Sequence, residues 1–385
     1  MNSFDLSAEW VILAPVPAPA AVEELARCIA ALRERDGLGK KEPAILDAAG
    51  PAPEDSAPII VLNMDNSSNE RGGYTWRMGR GRLEIYGDSR RGLCNGIYSF
   101  LAALGFRWPQ AGEELLPASP GTAGTAKAGE PGRGIYPLSN PGTYVPSNPS
   151  PEQRRRLAIP PETHQGEIPA LCRWAARNRV DVVIFSFKNQ KNKDGPVKWA
   201  DHWDLVIEWG GWDLGLLVPR RHFFLKRDLF RLEGGKRRGD HHFCPTHPET
   251  ITLIQLHTAA LLEQHAAWYR ARQRAPAPEA RHIYHLWPDR GAESLWCACP
   301  ACRAFSPREQ IRLALNTAAA VIAKRDPQAL IGCREEGNPA EQLPGGSEIT
   351  LRPNVFALKT ERTPDERPEE SPMLFMYEKG LVREW

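Results

Sequence analysis

The sequence predicts an α/β protein in two parts, a small N-terminal α+β domain followed by a (β/α)8 barrel of TIM type. Three observations lead there. From residue 134 onward, apolar strand-like runs alternate with helical segments, the trace that successive βαβ units leave in a chain. The stretch ASPGTAGTAKAGEPGR at 118–133 carries no apolar period and reads as a linker. The chain has 385 residues, of which 42% are hydrophobic, enough for about two domains with sizeable cores. The expected boundaries are an α+β domain at 1–117, the linker at 118–133, the barrel at 134–359 and a polar tail at 360–385.

In the first part, WVILAP at 10–15 has the composition of a strand. Val22, Leu25, Cys28, Ile29 and Leu32 recur at helical spacing over 20–35, which places them on one helix face. PIIVLNM at 58–64 is an apolar run of buried-strand type. In YTWRMGRGRLEIYGD at 74–88, Tyr74, Trp76 and Met78 alternate, and Leu83, Ile85 and Tyr86 follow a Gly-containing turn, a hairpin pattern. RRGLCNGIYSFLAALG at 90–105 is an amphipathic helix with Gly105 placed as its C-cap.

In the second part, strands are expected at 134–138, 181–187, 214–218, 281–287, 329–333 and 354–358, with helices at 167–179, 197–208, 248–270 and 306–324. Six strands on one sequential path suit a (β/α)8 barrel that lacks its last two units at the C-terminus. A doubly wound open sheet is the rival, weakened because no Gly-rich phosphate loop follows the first strand. The tail at 360–385 is Pro-rich, with one apolar patch at 373–377, and is too short for two further units. An open barrel end exposes strand edges and apolar surface, which favours a homo-oligomer.

Composition narrows the partners. Lys and Arg number 49 against 47 for Asp and Glu, a net charge of +2, so nothing electrostatic argues for nucleic acid or an anionic membrane. No stretch approaches the roughly 20 apolar residues of a membrane span. The N-terminus MNSFDLSAEWVILAP lacks the basic start and apolar core of a signal peptide, so the expected location is cytoplasmic. Eight cysteines in a chain of this length do not make a small-domain disulfide framework.

Barrel chemistry sits where strands end and the following loops begin. That rule singles out Asp289, Arg290 and Glu293 after 281–287, and Arg334, Glu335 and Glu336 after 329–333. It also singles out Arg220, Arg221 and His222 after 214–218, Lys188 and Asn189 after 181–187, and Lys359, Glu361 and Arg362 after 354–358. Glycoside hydrolysis needs two carboxylates, roughly 5 Å or 6.5–9.5 Å apart according to stereochemistry. Asp289 with Glu335 or Glu336 is such a pair. In this reading Asp289 is the general acid, raised by burial beside Trp287, and Glu335 or Glu336 is base or nucleophile. Arg220, Arg221 and Arg290 orient a carbohydrate substrate, and Trp212 and Trp287 are candidate stacking faces, with core packing the alternative for both. The reaction needs no cofactor. The other expectation is a catalytically inactive carbohydrate-binding or scaffold protein.

Cys297, Cys299 and Cys302 form C-x-C-x2-C, a spacing that lets three thiolates face one tetrahedral ion. Cys244, in DHHFCPTHPET, is the first choice for a fourth ligand, with His241, His242 and His247 as alternatives. A structural zinc, packed thiols and a disulfide are the three readings of this cluster. Cys28, Cys94, Cys172 and Cys333 are expected to be packed thiols.

Longer stretches carry a resemblance. GDSRRGLCNGIYSFLAALGFRWPQAGEELLP at 87–117 resembles the closing helix and exit of the small α+β domain that precedes the barrel in bacterial β-hexosaminidases and α-glucuronidases. The stretch at 210–250, then HLWPDRGAESLWCACPACRAFSPREQ at 285–310 and LRPNVFAL at 351–358, resembles a bacterial family of unknown function. That family joins such a domain to a TIM barrel of glycoside-hydrolase type. The resemblance implies a carbohydrate-active enzyme and carries no catalytic assignment, although Asp289 falls where related barrels place an acidic residue after the fourth strand. Relatives have GGHDL where this chain has Gly210-Gly211-Trp212-Asp213-Leu214, so no role of that His transfers. Relatives also continue beyond the length of this chain, which implies a truncated form with weakened or no activity.

Overall fold

The computed structural model describes residues 2–50, 58–64, 72–79, 81–117, 135–138, 143–144, 154–188, 194–271, 282–289, 292, 295–334, 349–361 and 373–377. The chain forms two compact units. One comprises Met1–Ser150, His164–Val183 and Asp194–Val206, and the other Pro151–Thr163, Ile184–Lys193 and Ile207–Trp385.

The first unit begins with β1 (Asn2–Asp5), β2 (Val11–Ala14), α1 (Ala20–Arg35) and β3 (Ala44–Asp47). It continues with β4 (Ile59–Met64), β5 (Tyr74–Gly79), β6 (Arg82–Gly87), α2 (Arg90–Leu104), β7 (Ile135–Leu138) and β8 (Thr143–Tyr144). Six of these strands form one sheet in the order β3-β2-β4-β6-β5-β8. The β2, β3, β4 and β6 pairings are parallel, and β5 joins β6 as the expected antiparallel hairpin. The alternation read at Tyr74, Trp76 and Met78 is real: these three are buried, and their neighbours face solvent. The apolar face of α1 buries Val22, Leu25, Cys28, Ile29 and Leu32. Ser89 caps α2 by accepting from the Gly92 N–H at 3.0 Å, and Gly105 ends the helix at φ 107°. Sequence reading misses β1 and β3, each four residues long. It also assigns 134–138 to the barrel, whereas β7 pairs antiparallel with β1.

Further along lie β9 (Arg156–Ile159), α3 (Ile168–Arg177), β10 (Val182–Phe185), α4 (Asp194–His202) and β11 (Val206–Gly211). Both α3 and α4 belong to the first unit. There Trp174 of α3 donates its indole N–H to the Trp108 carbonyl at 3.0 Å. Arg173 and Arg177 join Arg27 around the buried carboxylate of Glu24 in α1. Burial of that carboxylate is tolerated because it is paired and hydrogen-bonded.

The second unit adds β12 (Leu232–Glu233), β13 (Lys236–Arg237), α5 (Pro248–Ala271), β14 (Ile283–Leu286), α6 (Pro307–Arg325), β15 (Leu330–Arg334), β16 (Val355–Glu361) and β17 (Met373–Tyr377). Seven strands curl into a barrel sheet in the order β10-β11-β14-β15-β16-β17-β9. The pairings β11–β14, β14–β15 and β15–β16 are parallel. β17 runs antiparallel to both β16 and β9, so this is a mixed α/β sheet, mainly parallel. The apolar patch of the expected tail is thus a strand.

Two further expectations change. The run at 214–218 is a 3-10 turn at Leu214–Leu217, and the strand lies earlier, at β11. The helix expected over 197–208 stops at His202. The cause is VIEWGG: a strand carrying a buried carboxylate and two glycines lacks the apolar run that marks strands in sequence. β9, RLAI, is missed for the same reason, since its first residue is an arginine buried in the barrel.

Alternate residues on the strands fill the barrel. Ala158, Ile184, Trp212, Ile283, Trp287, Phe356 and Leu358 form its apolar core. On the outer face, Trp209 and Tyr284 meet His265 of α5. The register aligns Gly210 with His285, His285 with Gly332 and Gly332 with Phe356, so two glycines flank one imidazole in a single interior row. A Cβ at Gly332 would lie 2.5 Å from His285 Nδ1. At Gly210 it would lie 1.9 Å from the His285 carbonyl oxygen, with φ at 119°.

Candidate active site

Within the barrel, among its apolar side chains, stand three buried polar groups from three strands. Arg156 of β9 grips Glu208 of β11 through Nε to Oε2 at 2.7 Å and Nη2 to Oε1 at 3.0 Å. His285 Nε2 of β14 lies 2.7 Å from the same Glu208 Oε2, and the Arg156 guanidinium also rests over the Phe356 ring at 5.6 Å. Burial pushes the Glu208 carboxyl up, but the guanidinium and the His285 hydrogen bond outweigh it and hold the group at about 2. Burial lowers His285 despite its carboxylate partner. Sequence reading misses this layer, because a charged residue inside a strand looks like an outward-facing one.

At the C-terminal ends of the parallel strands, three strand ends converge. Ser186, Phe187 and Lys188 follow β10, Trp212 and Asp213 follow β11, and Trp287, Pro288 and Asp289 follow β14. The Trp287 N–H donates to the Gly211 carbonyl at 2.6 Å and the Leu214 N–H to the Trp287 carbonyl at 3.0 Å, which ties the ends of β11 and β14 together. Asp213 is fully buried. Its Oδ1 accepts from Ser186 Oγ and its Oδ2 from the Phe187 N–H, both at 2.7 Å. Burial pushes its carboxyl up to about 6, against the lowering pull of those donors and of Lys188. Lys188 Nζ donates to the Trp212 carbonyl at 2.5 Å and stands 3.7 Å from Asp289 Oδ1.

Asp289 is 8% exposed. Its carboxylate meets Arg220 Nη2 at 2.5 Å and His241 Nδ1 at 3.9 Å, in addition to Lys188. The apolar setting expected from Trp287 is therefore replaced by a ring of basic groups. Arg221 is exposed on the same 3-10 segment as Arg220, Arg220–Phe224. Trp212 and Trp287 offer no open stacking face: they are 2% and 0% exposed and pack edge to face at 5.0 Å in the core. Arg290, Glu293, Glu335 and Glu336 lie outside the described residues. Asp213 is the site carboxylate that sequence reading passes over. Its signal was the Gly-Gly-Trp-Asp run, concealed by the misplaced strand.

The four thiols of the expected cluster come together. Cys244, Cys297, Cys299 and Cys302 are all buried, and their sulfurs lie within 4.8 Å of one another. Four sulfurs are the donor set of a closed structural zinc site. Cys28, Cys94 and Cys172 are buried elsewhere, and burial pushes each thiol up to about 12, as befits packing residues. No helix among the described residues is long and apolar enough to cross a membrane.

No family model matches the chain, and no curated protein matches it. Among solved structures it is similar to the N-acetyl-β-hexosaminidase of Streptomyces plicatus, at 13% identity and a TM-score of 0.48 over 94% of this chain and 67% of that one. It is similar to the family 20 β-N-acetylhexosaminidase of Streptomyces coelicolor, at 11% identity and a TM-score of 0.47 over 92% and 66%. A third is the chitobiase of Flavobacterium johnsoniae, at 12% identity and a TM-score of 0.46 over 86% and 50%. The chain thus spans about half the length of the chitobiase. Likeness at this level says nothing of activity.

Proposed function

We propose that the barrel rim binds a carbohydrate and that the protein acts on it as a glycoside hydrolase, through carboxylate acid/base catalysis. The observation that carries this reading is Asp289, a carboxylate at the end of a parallel barrel strand, held by Arg220 and by the same Lys188 that follows the turn bound by the buried acid Asp213. Asp289 is the catalytic acid/base. Arg220, half-exposed, and Arg221 bind substrate hydroxyls or carboxylates. Arg290 is a further candidate from sequence for that role. The second carboxylate is Glu335 or Glu336, which follow β15 in the chain. Asp213 acts as a positioning residue that holds the Ser186–Lys188 turn, and through it the Lys188 ammonium, beside Asp289.

A screen of purified protein against aryl glycosides and aryl uronides, with Asp289→Asn alongside, tests the proposal. Turnover that disappears in the variant supports it. Turnover unchanged in the variant overturns the assignment of Asp289.

A second reading has its own observation. Asp289 is already committed to Arg220 and Lys188, and Trp212 is taken up in core packing. A carbohydrate-binding protein without turnover fits that arrangement. Saccharide binding by a folded protein that turns over no substrate would establish it. Absence of both binding and turnover would remove both readings.

A further inference from the structure

We propose that Cys244, Cys297, Cys299 and Cys302 hold one zinc ion in a closed tetrathiolate site that locks together the two loops flanking the rim. The site is independent of any activity of that rim. Cys244 Sγ lies 3.7 Å from Cys299 Sγ and 3.6 Å from Cys302 Sγ. Sulfurs bound at about 2.3 Å to one tetrahedral ion stand about 3.8 Å apart, whereas a disulfide needs about 2.05 Å. All four residues are between 0% and 6% exposed and form a cluster of their own, with Leu232 packed against it.

The surroundings suit thiolates. The Leu232 N–H points at Cys297 Sγ at 3.3 Å, and Arg237 Nη1 lies 3.8 Å from the same sulfur. Thr246 Oγ1 stands 3.1 Å from Cys302 Sγ. Zinc with four thiolates carries a charge of about −2, which such outer donors disperse. The backbone is held from both sides. The Cys244 N–H donates to the Leu229 carbonyl and the Ala298 N–H to the Leu232 carbonyl, each at 2.8 Å. Gln310 of α6 brackets Cys297, accepting from its N–H at 3.1 Å and donating to its carbonyl at 3.0 Å. Four sulfur donors select a soft or borderline ion over magnesium or calcium. With no open coordination position, the ion has a structural role.

Its place in the fold gives that role content. One segment runs from the 3-10 turn at Arg227–Leu229 to Cys244, and the other is the described stretch 295–302. Between the cysteines and the rim, His242 stacks on Trp296 at 4.4 Å and its Nε2 lies 2.9 Å from the Ala292 carbonyl oxygen. His241, next in sequence, reaches Asp289. The ion would therefore fix the segment that carries His241 and His242 against the segment that carries Trp296.

The test uses the full chain purified without chelator. Elemental analysis should give about one zinc per chain, and Cys302→Ser should fall below about 0.2. Cys333→Ser, which removes a buried thiol of β15 outside the cluster, should keep its zinc. If Cys302→Ser does not fold, cobalt exchanged into the unaltered chain decides. The visible bands and thiolate charge transfer of tetrahedral cobalt support the site, and their absence overturns it. So does a metal-free chain whose four thiols titrate freely, one that has lost two thiols to a disulfide, or one that carries iron. Chelation should also raise amide exchange over 229–244 and 295–302; unchanged exchange would overturn the locking role.

Discussion

Glu208 and Arg156 meet inside the barrel through two parallel hydrogen bonds, at 2.7 and 3.0 Å, with neither side chain more than 5% exposed. Removing one member of a buried, hydrogen-bonded ion pair is strongly destabilising. Glu208→Ala should therefore lose about 3–5 kcal/mol, read by chemical denaturation. The pH sign follows from the depressed carboxyl. Its stabilisation is present above the unfolded value of 4.5 and is lost as pH falls through about 2. The unaltered protein should lose stability across that acid window more steeply than Glu208→Gln.

Asp213 should show the opposite sign. Its carboxyl is raised from 3.8 to about 6, so its contribution is full below the lower value and is lost as pH rises through the upper one. Asp213→Asn keeps a carbonyl oxygen for the Phe187 N–H and removes the charge. The difference in denaturation midpoint between Asp213→Asn and the unaltered protein should grow in favour of the variant from pH 4 to pH 7. A constant difference across that range would contradict the raised carboxyl.

Asp289→Asn should lower kcat/KM for any substrate found by at least about 100-fold, the usual weight of a general acid or base. Arg220→Ala should act mainly on KM, because in this reading Arg220 holds substrate and does not move protons. Steady-state kinetics separates the two effects.

Gly210→Ala should not yield folded protein. The new Cβ would sit 1.9 Å from a carbonyl oxygen of the neighbouring strand, at a φ of 119°, and backbone cannot yield there without breaking the β11–β14 ladder. Gly234→Ala is the control: its φ is 54° but no atom lies within 4 Å of the added carbon. Its cost should be on the order of 1 kcal/mol. Thermal melting of soluble material distinguishes the two.

Much of the fold was legible because its signals are local. The hairpin of β5 and β6 and the helices α1, α2, α3, α5 and α6 stand close to where periodicity put them, and the Ser306–Glu309 capping box begins α6 directly after the cysteine loop. In the barrel sheet β9 and β11 failed to show because each carries buried charged residues or glycines among its apolar ones. Arg156, Glu208 and Gly210 contradict the apolar pattern of an inner strand, and their justification lies on other strands.

The rim divides in the same way. By itself the sequence determined which residues follow the ends of β10 and β14, and hence Lys188 and Asp289, because strand ends are marked by the end of an apolar run. It also determined that three cysteines share one short loop. Only the tertiary structure decided that Asp289 is ringed by Arg220, Lys188 and His241, that Trp212 and Trp287 face each other in the core, and that Cys244 rather than a histidine joins the other three sulfurs. Those are contacts between segments about 48 to 101 residues apart in the chain. Spacing along a chain carries information over a few turns of helix or a hairpin, whereas which distant side chains meet is set by how the strands pair and which way each residue faces.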